Sequence, residues 1–365
     1  MYGSVGLGHK VVAENIAAVL RTYPEVELGM LDVLEMYKGP FTQTSTKIYQ
    51  WIIAHWPGLW RFFYTNPVFL RLTLPWRLPF AAWKLRKFRD YFLNEVWDLV
   101  LTTHPNATAL IVSLKLQGLY HGPIVTTFSD FHFQPYWVFP GVDRYLVMTP
   151  EQQREVVRLG FSRKRVIITG LPVDPVFSAD YEEGEIFREY GLARTRPVIL
   201  IMGGSRGWGV KLENVQALLD SDFDLQLVVA TGINPVLEQE LRKVASRFPA
   251  ALKVFGEWSN IEVAKLFSIA RILVTKPGGL TIAQALLKAL PTVLVNPLPG
   301  MEEMNLEYLK KRGVGVFAED GRQLLKWVER LLADKKFYQE LRNRSRELSH
   351  PEAASLAARA VIDML

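Results

Sequence analysis

Val198-Ile-Leu-Ile-Met-Gly-Gly-Ser-Arg-Gly-Trp-Gly209 is an uninterrupted apolar run that breaks into a glycine-rich turn. Without polar alternation, such a run reads as a strand buried on both faces, which is the habit of parallel sheets. The pattern recurs downstream in LQLVVATG (225–232), LKVFGEW (252–258), ARILVTKPGG (270–279) and PTVLVNPLPG (291–300), each ending in Gly, Pro or another turn-compatible residue. Helical stretches separate them, notably Val236–Arg247, Ile261–Phe267 and Leu280–Ala289. Upstream, shorter β-rich runs at 98–103, 123–127, 143–147 and 166–170 repeat the alternation, with a helix over Glu151–Leu159. The fold class expected is α/β, with two Rossmann-like domains and a cleft between them. The boundaries fall at 1–175, 176–350 and 351–365, the last a helix packing back on the first domain.

Composition narrows the class. The chain has 365 residues, more than one ordinary core of about 100–200 residues holds. With 49% hydrophobic and 22% charged residues it is not a disordered chain. The absence of cysteine removes a disulfide framework, a thiolate metal site and a cysteine nucleophile together. No apolar stretch reaches the roughly 18 residues that suggest a membrane span, and no secretory signal opens the chain. The helix expected at about His9–Arg21 follows MYGSVGLG (1–8), a glycine turn with no strand before it, and Val26–Leu31 reads as a short strand. A first strand is therefore expected to be missing, or Met1 is not the native start.

Residues 36–89 break the pattern: nine Lys and Arg, no Asp or Glu, 14 of the 43 aromatics and five of the ten tryptophans. One reading is a helical insertion with an aromatic core and a solvated basic face. The other is a peripheral membrane-surface element, with Trp51, Trp56 and Trp60 at headgroup level and Arg61, Lys84, Arg86 and Lys87 facing anionic lipid. Pro67, Pro75 and Pro79 are expected to break regular helix there. Nucleic acid is disfavoured as a partner, since the net charge is only +6 and no RNA-binding signature occurs.

Glycine turns at strand ends present backbone N–H groups to phosphate charge. The candidates are 3–9, 202–209, 276–281 and 297–305. No GxxxxGK[ST] is present, and Val11 stands where a dinucleotide fingerprint needs its third glycine, so a P-loop nucleotidase and a dehydrogenase are both disfavoured. His9, at a turn-to-helix junction, is placed to take a proton from an attacking hydroxyl. Asp130, ending another strand on the same edge, can hold the acceptor or polarise the base, although an N-cap role is the alternative.

The motifs GLGH (6–9), SDFHFQPYW (129–137), GVDRYLV (141–147), TGLPVDPVF (169–177), IMGGSRGWG (201–209), KPGGLTIAQAL (276–286) and PGMEEMN (299–305) together resemble the family-28 GT-B glycosyltransferases. Within that family, the chain is most similar to the monogalactosyl- and monoglucosyl-diacylglycerol synthases. The peptidoglycan enzyme that glycosylates lipid I is a more distant relative. The resemblance implies inverting transfer of glucose or galactose from a UDP-sugar to diacylglycerol, without a catalytic metal and with the nucleotide sugar as substrate, not cofactor. It implies work at an anionic membrane surface, as a peripheral protein on the cytoplasmic face of the plasma membrane. By motif, His9 and Asp130 serve the acceptor. Gly204, Ser205, Gly279, Leu280 and Thr281 meet the diphosphate, main chain near Trp258 meets uracil, Gln284 the ribose, and Glu302 and Asn305 the sugar. The sequence departs from the family at Gln284, where relatives carry Glu, and at Met301, Gln134 and Asp174. A polyprenyl-linked acceptor and a non-catalytic binding relative are the alternatives.

Overall fold

The computed structural model describes residues 1–3, 7–36, 48, 51–53, 55–83 and 85–365, and within these not the side chains of 80, 82, 83 and 85–87. The chain divides into two units. The first is Met1–Val173 with Pro299–Met301 and Glu352–Leu365; the second is Asp174–Leu298 with Glu302–Pro351.

The first unit holds a four-stranded parallel sheet, β1 (Val100–Thr102), β2 (Ile124–Thr127), β3 (Arg144–Val147) and β4 (Val166–Ile168), in spatial order β1-β2-β3-β4. Every residue of the Pro105–Leu116 helix from Ala107 to Leu114 is buried, so this helix lies inside the unit instead of on its surface. Where its start meets the sheet, the Thr102 hydroxyl bonds those of Thr108 at 2.8 Å and Thr126 at 2.9 Å, satisfying three buried polar groups among themselves. The run at 26–31 does not form a strand. Among the described residues, Tyr2 and Asp32 pair just beyond it in a single parallel bridge.

The second unit holds β5 (Val198–Met202), β6 (Gln226–Ala230), β7 (Leu252–Phe255), β8 (Ala270–Thr275), β9 (Thr292–Leu294) and β10 (Val316–Phe317). All are parallel, in the order β7-β6-β5-β8-β9-β10. This is the doubly wound order, whose direction reverses between β5 and β8, and ligands of such sheets bind beyond the carboxyl ends of the strands at that reversal. Ile199, Ile201, Leu227, Val229, Ile272 and Val274 point into one buried core, as apolar strands covered on both sides require.

In the aromatic segment Pro67 separates two short helices, as extended Asn66 before it shows, while the run continues past Pro75 through a 3₁₀ turn. Helices run over Pro57–Thr65, Pro67–Thr73, Arg77–Trp83 and Leu85–Phe92, with a 3₁₀ turn at Leu74–Trp76. Pro57 and Pro67 occupy first-turn positions, where no amide hydrogen is needed. Lys84 and the side chains of Arg86 and Lys87 lie outside the described residues.

In the first unit, the Ala353–Ile362 helix packs on the Leu7–Leu20 helix. Its buried face is Ala353, Ala354, Ala357, Ala358 and Val361, small side chains that let the two backbones approach closely. Replacing Ala357 with Leu is expected to lower stability by about 1–3 kcal/mol through overpacking. Arg359→Leu, on the exposed face of the same helix, is expected to change little; urea midpoints of the two variants check this.

Candidate functional site

In the first unit, the Leu7–Leu20 helix carries His9 in its first turn. The Thr103 hydroxyl donates to the His9 carbonyl at 2.8 Å, fixing this turn against the end of β1. His9 Nδ1 lies 3.1 Å from the Ser129 hydroxyl, just beyond β2. His104 meets the His9 ring edge-on at 4.7 Å, and Trp137 packs at 5.7 Å. Loss of water around His9 lowers its pKa below the ordinary 6.5, with the Asp130 charge and the Thr103 bond opposing in part. His104 is pushed well below the same value, first by burial and then by His9 itself. Its Nδ1 accepts the Asn106 amide at 3.1 Å as the cap of Pro105–Leu116. The two imidazoles are therefore neutral together near pH 7, and a neutral ring can accept a proton.

Asp130 sits in the loop after β2, placed by a residue far along the chain. Buried Gln152 donates from Nε2 to the Asp130 carbonyl at 2.6 Å and to the His132 carbonyl at 2.8 Å. Its Oε1 accepts the Met148 amide at 2.7 Å, and it completes the capping box of Pro150–Arg158 with Thr149. One side chain thus starts a helix and sets the backbone that carries Asp130.

In the second unit, the loop after β5 folds back on itself. Gly204 has φ +74° and Gly207 φ +66°, and a Cβ on Gly207 would lie 2.3 Å from the Thr231 carbonyl. This tight loop leaves Ser205 exposed while its carbonyl accepts the Ile233 amide at 2.8 Å. After β8, Gly278 begins the Gly279–Leu287 helix with no side-chain cap, so the first-turn amides of Gly279, Leu280 and Thr281 carry no capping side-chain bond. Lys276 stands beside both loops: a Cβ on Gly204 would come within 2.9 Å of Lys276 Cε. Lys276 Nζ pairs with Glu302 Oε1, and Glu302 Oε2 accepts the Leu298 amide at 2.9 Å. Asn305, wholly buried, donates to the Pro277 carbonyl at 3.1 Å.

The structure gathers Gly204, Lys276, Gly278, Glu302 and Asn305 at the carboxyl ends of β5 and β8. Gln284 is buried on the same helix as Gly279. Trp258 lies apart from them, after edge strand β7, with its ring 4.6 Å from that of Phe255. In the first unit, Trp51 and Trp56 are exposed and 5.7 Å apart, Trp60 is half-buried and Arg61 exposed. Sequence reasoning missed Lys276, Ser129, His104 and Gln152. Lys276 had a signal, a cation closing an apolar strand just before Pro-Gly-Gly; Gln152 had none, since its reach is tertiary.

Two outcomes follow from this geometry. NMR titration of His9 should give a pKa below 6.5. Because the folded value is depressed, the stability contribution is complete above the unfolded value. It is lost as pH falls below 6.5 toward the folded value, the unfolded chain binding the proton first. Lys276→Ala should cost about 3–5 kcal/mol, since it strands the Glu302 carboxylate in a buried place. Chemical denaturation measures this, and a loss under about 1 kcal/mol would contradict the pairing.

The domain family described as Monogalactosyldiacylglycerol (MGDG) synthase matches residues 9–173. A processive diacylglycerol beta-glucosyltransferase of Bacillus cereus (strain AH187) is 27% identical over 354 residues, covering 96% of this chain and 89% of the relative. That of Bacillus thuringiensis (strain Al Hakam) is 28% identical over the same shares. Among solved structures, Acinetobacter baumannii MurG superposes with TM-score 0.59 at 14% identity, covering 100% of this chain and 98% of that one. Anabaena HepE in complex with UDP-glucose gives 0.52 at 13%, covering 79% and 82%. The fold is GT-B, and the chain is a glycosyltransferase whose residues 9–173 match the MGDG synthase family and which is similar over most of its length to the diacylglycerol glucosyltransferases.

Proposed function

We propose that this enzyme transfers glucose or galactose, with inversion, from a UDP-hexose to the free hydroxyl of diacylglycerol. The observation that carries the reading is the neutral His9 in the unit that bears the MGDG synthase domain, with the Asp130 charge acting on it. As the acceptor oxygen attacks the anomeric carbon, its proton passes to His9 Nε2. Nδ1 meanwhile is held by the Ser129 hydroxyl, and Asp130 favours the imidazolium as it forms. The bond that breaks joins the anomeric carbon to the β-phosphate oxygen, and UDP leaves with the charge. Lys276, the Ser205 loop and the first-turn amides of Gly279, Leu280 and Thr281 meet that charge. Glu302 keeps Lys276 in place, and Asn305 steadies the Pro277 turn beneath it. The Trp258 main chain takes the uracil, Gln284 the ribose, and Glu302 with Asn305 borders the hexose.

The surface of the first unit supports action on a membrane lipid. Val68, Leu72 and Trp76, spaced four apart, are 65%, 66% and 71% exposed on one side of a helical run whose other side buries Leu70. Phe62 and Trp56 extend this apolar area. The surrounding segment, basic and without carboxylates, suits the anionic cytoplasmic leaflet. Among the described residues no helix is long and apolar enough to cross a membrane, so peripheral attachment is the mode proposed.

A panel of UDP-sugars offered with diacylglycerol in anionic vesicles, read by mass spectrometry, tests the reaction. A hexosyl-diacylglycerol is expected, and the number of added hexoses gives the processivity. No product from folded protein that still binds UDP would move the acceptor to another lipid. His9→Ala should reduce kcat by about 10²–10⁴-fold with little change in UDP-hexose affinity. Replacing Trp51, Trp56 and Trp60 by Ser should reduce co-sedimentation with anionic vesicles, and unchanged sedimentation would remove those residues from the docking surface.

A further inference from the structure

The exposed apolar stripe and the loop that bears Asp130 belong to different stretches of sequence, yet side chains tie them together. Tyr64, at the end of the Pro57–Thr65 helix, meets His132 Nε2 through its hydroxyl at 2.9 Å. The Tyr64 carbonyl accepts Gln134 Nε2 at 3.0 Å. A turn further on, the Thr73 hydroxyl bonds that of Tyr136. Arg77 donates to the Pro135 carbonyl at 3.0 Å and to that of Val138, with its guanidinium 3.9 Å over the Phe139 ring. These partners run from His132 to Phe139. The same loop is held from behind by Gln152, through the carbonyls of Asp130 and His132. His132 is thus gripped at both ends, its ring by Tyr64 and its carbonyl by Gln152. Val68, Leu72 and Trp76 look outward from the same helical run whose inward residues, Thr73 and Arg77, make these bonds.

We propose that Tyr64 is a positioning residue that couples attachment of the apolar stripe to the placement of Asp130, so that the enzyme turns over fully only on a lipid surface. The inference rests on the function proposed above and adds to it a control by the surface itself. Seating the stripe in lipid restrains the 57–77 run. Through Tyr64 and Arg77 that restraint reaches residues 130–139, and the Asp130 carboxylate is held where it acts on His9. Without a surface the run is free to move, and the loop moves with it. The Tyr64 Cβ and ring lie against Gly300, where an added Cβ would come within 3.0 Å, and phenylalanine keeps that packing; removing the hydroxyl alone should therefore spare donor binding and lipid attachment while slowing the transfer step.

The test compares wild type with Tyr64→Phe on phosphatidylglycerol–phosphatidylcholine vesicles containing diacylglycerol. Three quantities are read: co-sedimentation, kcat and KM for the UDP-hexose, and amide hydrogen exchange of residues 129–139 with and without vesicles. The expected result is unchanged sedimentation and KM, kcat lowered about tenfold as for one lost hydrogen bond, and loss of vesicle-induced protection in 129–139. Arg77→Lys, which cannot reach both carbonyls, should do the same. Adding His132→Gln to Tyr64→Phe should lower kcat no further, because both changes remove one contact. An unchanged kcat in Tyr64→Phe, or equal protection of 129–139 in variant and wild type, overturns the proposal. A wild type that forms no glycolipid overturns the function instead. The exchange comparison then decides the coupling alone: protection that rises on vesicles only in wild type supports it, and protection that never rises overturns it.

Discussion

Parallel strands buried on both faces leave the protein one place to do chemistry, the ends where backbone leaves the sheet. In the second unit, side chains of β5, β6 and β8 are committed to packing, so polar function is displaced to the turns after Met202 and Thr275. Because the strand order reverses between β5 and β8, those two turns leave the sheet at the place where open sheets of this kind bind ligands. The glycines follow from this. A side chain on Gly207 or Gly232 would strike carbonyls of the facing loop at 2.3 and 2.2 Å, so the close approach that builds the turn excludes a Cβ there.

The two units place opposite electrostatic demands on buried groups and meet them by different means. A base for an alcohol must be neutral before reaction, and desolvation, the largest cause in both, moves His9 and His104 that way. Their rings share a contact that would repel two protons, so burial and proximity act in the same direction. Lys276, beside the turns after β5 and β8, is a cation in a partly buried position, and taking such a charge out of water is costly. Glu302 offsets that cost: it is only 2% exposed, pairs with Lys276, and has its second oxygen satisfied by the Leu298 amide. Its carboxylate therefore has a structural duty beside any contact with sugar.

Much of this was legible in the sequence for a physical reason. Apolar strands and glycine turns are local signals, and β2 to β9 fall within the runs that predicted them. The glycine loop at 203–209, the helix start at Gly279 and the position of His9 are likewise short-range features. What escaped was of three kinds. The Val26–Leu31 run has the composition of a strand but joins no sheet among the described residues. Pro67 divides two short helices as expected, after an extended Asn66, whereas Pro75 sits in the first turn of a 3₁₀ segment that continues the run, where proline costs no hydrogen bond. Gln152, Ser129 and His104 were silent because their importance lies in partners 20 to 120 residues away.

The loop from Ser129 to Phe139 shows why that third kind resists reading. It has no ladder of its own beyond a single 3₁₀ turn at Pro135–Trp137. Its carbonyls are instead taken by side chains from elsewhere: Gln152 at Asp130 and His132, Arg77 at Pro135 and Val138. A segment held this way has the geometry of its donors, so its conformation is written in other parts of the chain. Gln134 makes the same point from within the loop. Its amide nitrogen reaches the Tyr64 carbonyl, while its Oε1 is buried with no hydrogen-bond partner among the described residues. The bond to Tyr64 accounts for it, because an amide extended to the aromatic segment cannot also turn its oxygen to a donor nearer home. Gln152 thus sets the start of the loop at Asp130 and His132, while Tyr64 and Arg77 tie its later residues to the aromatic segment.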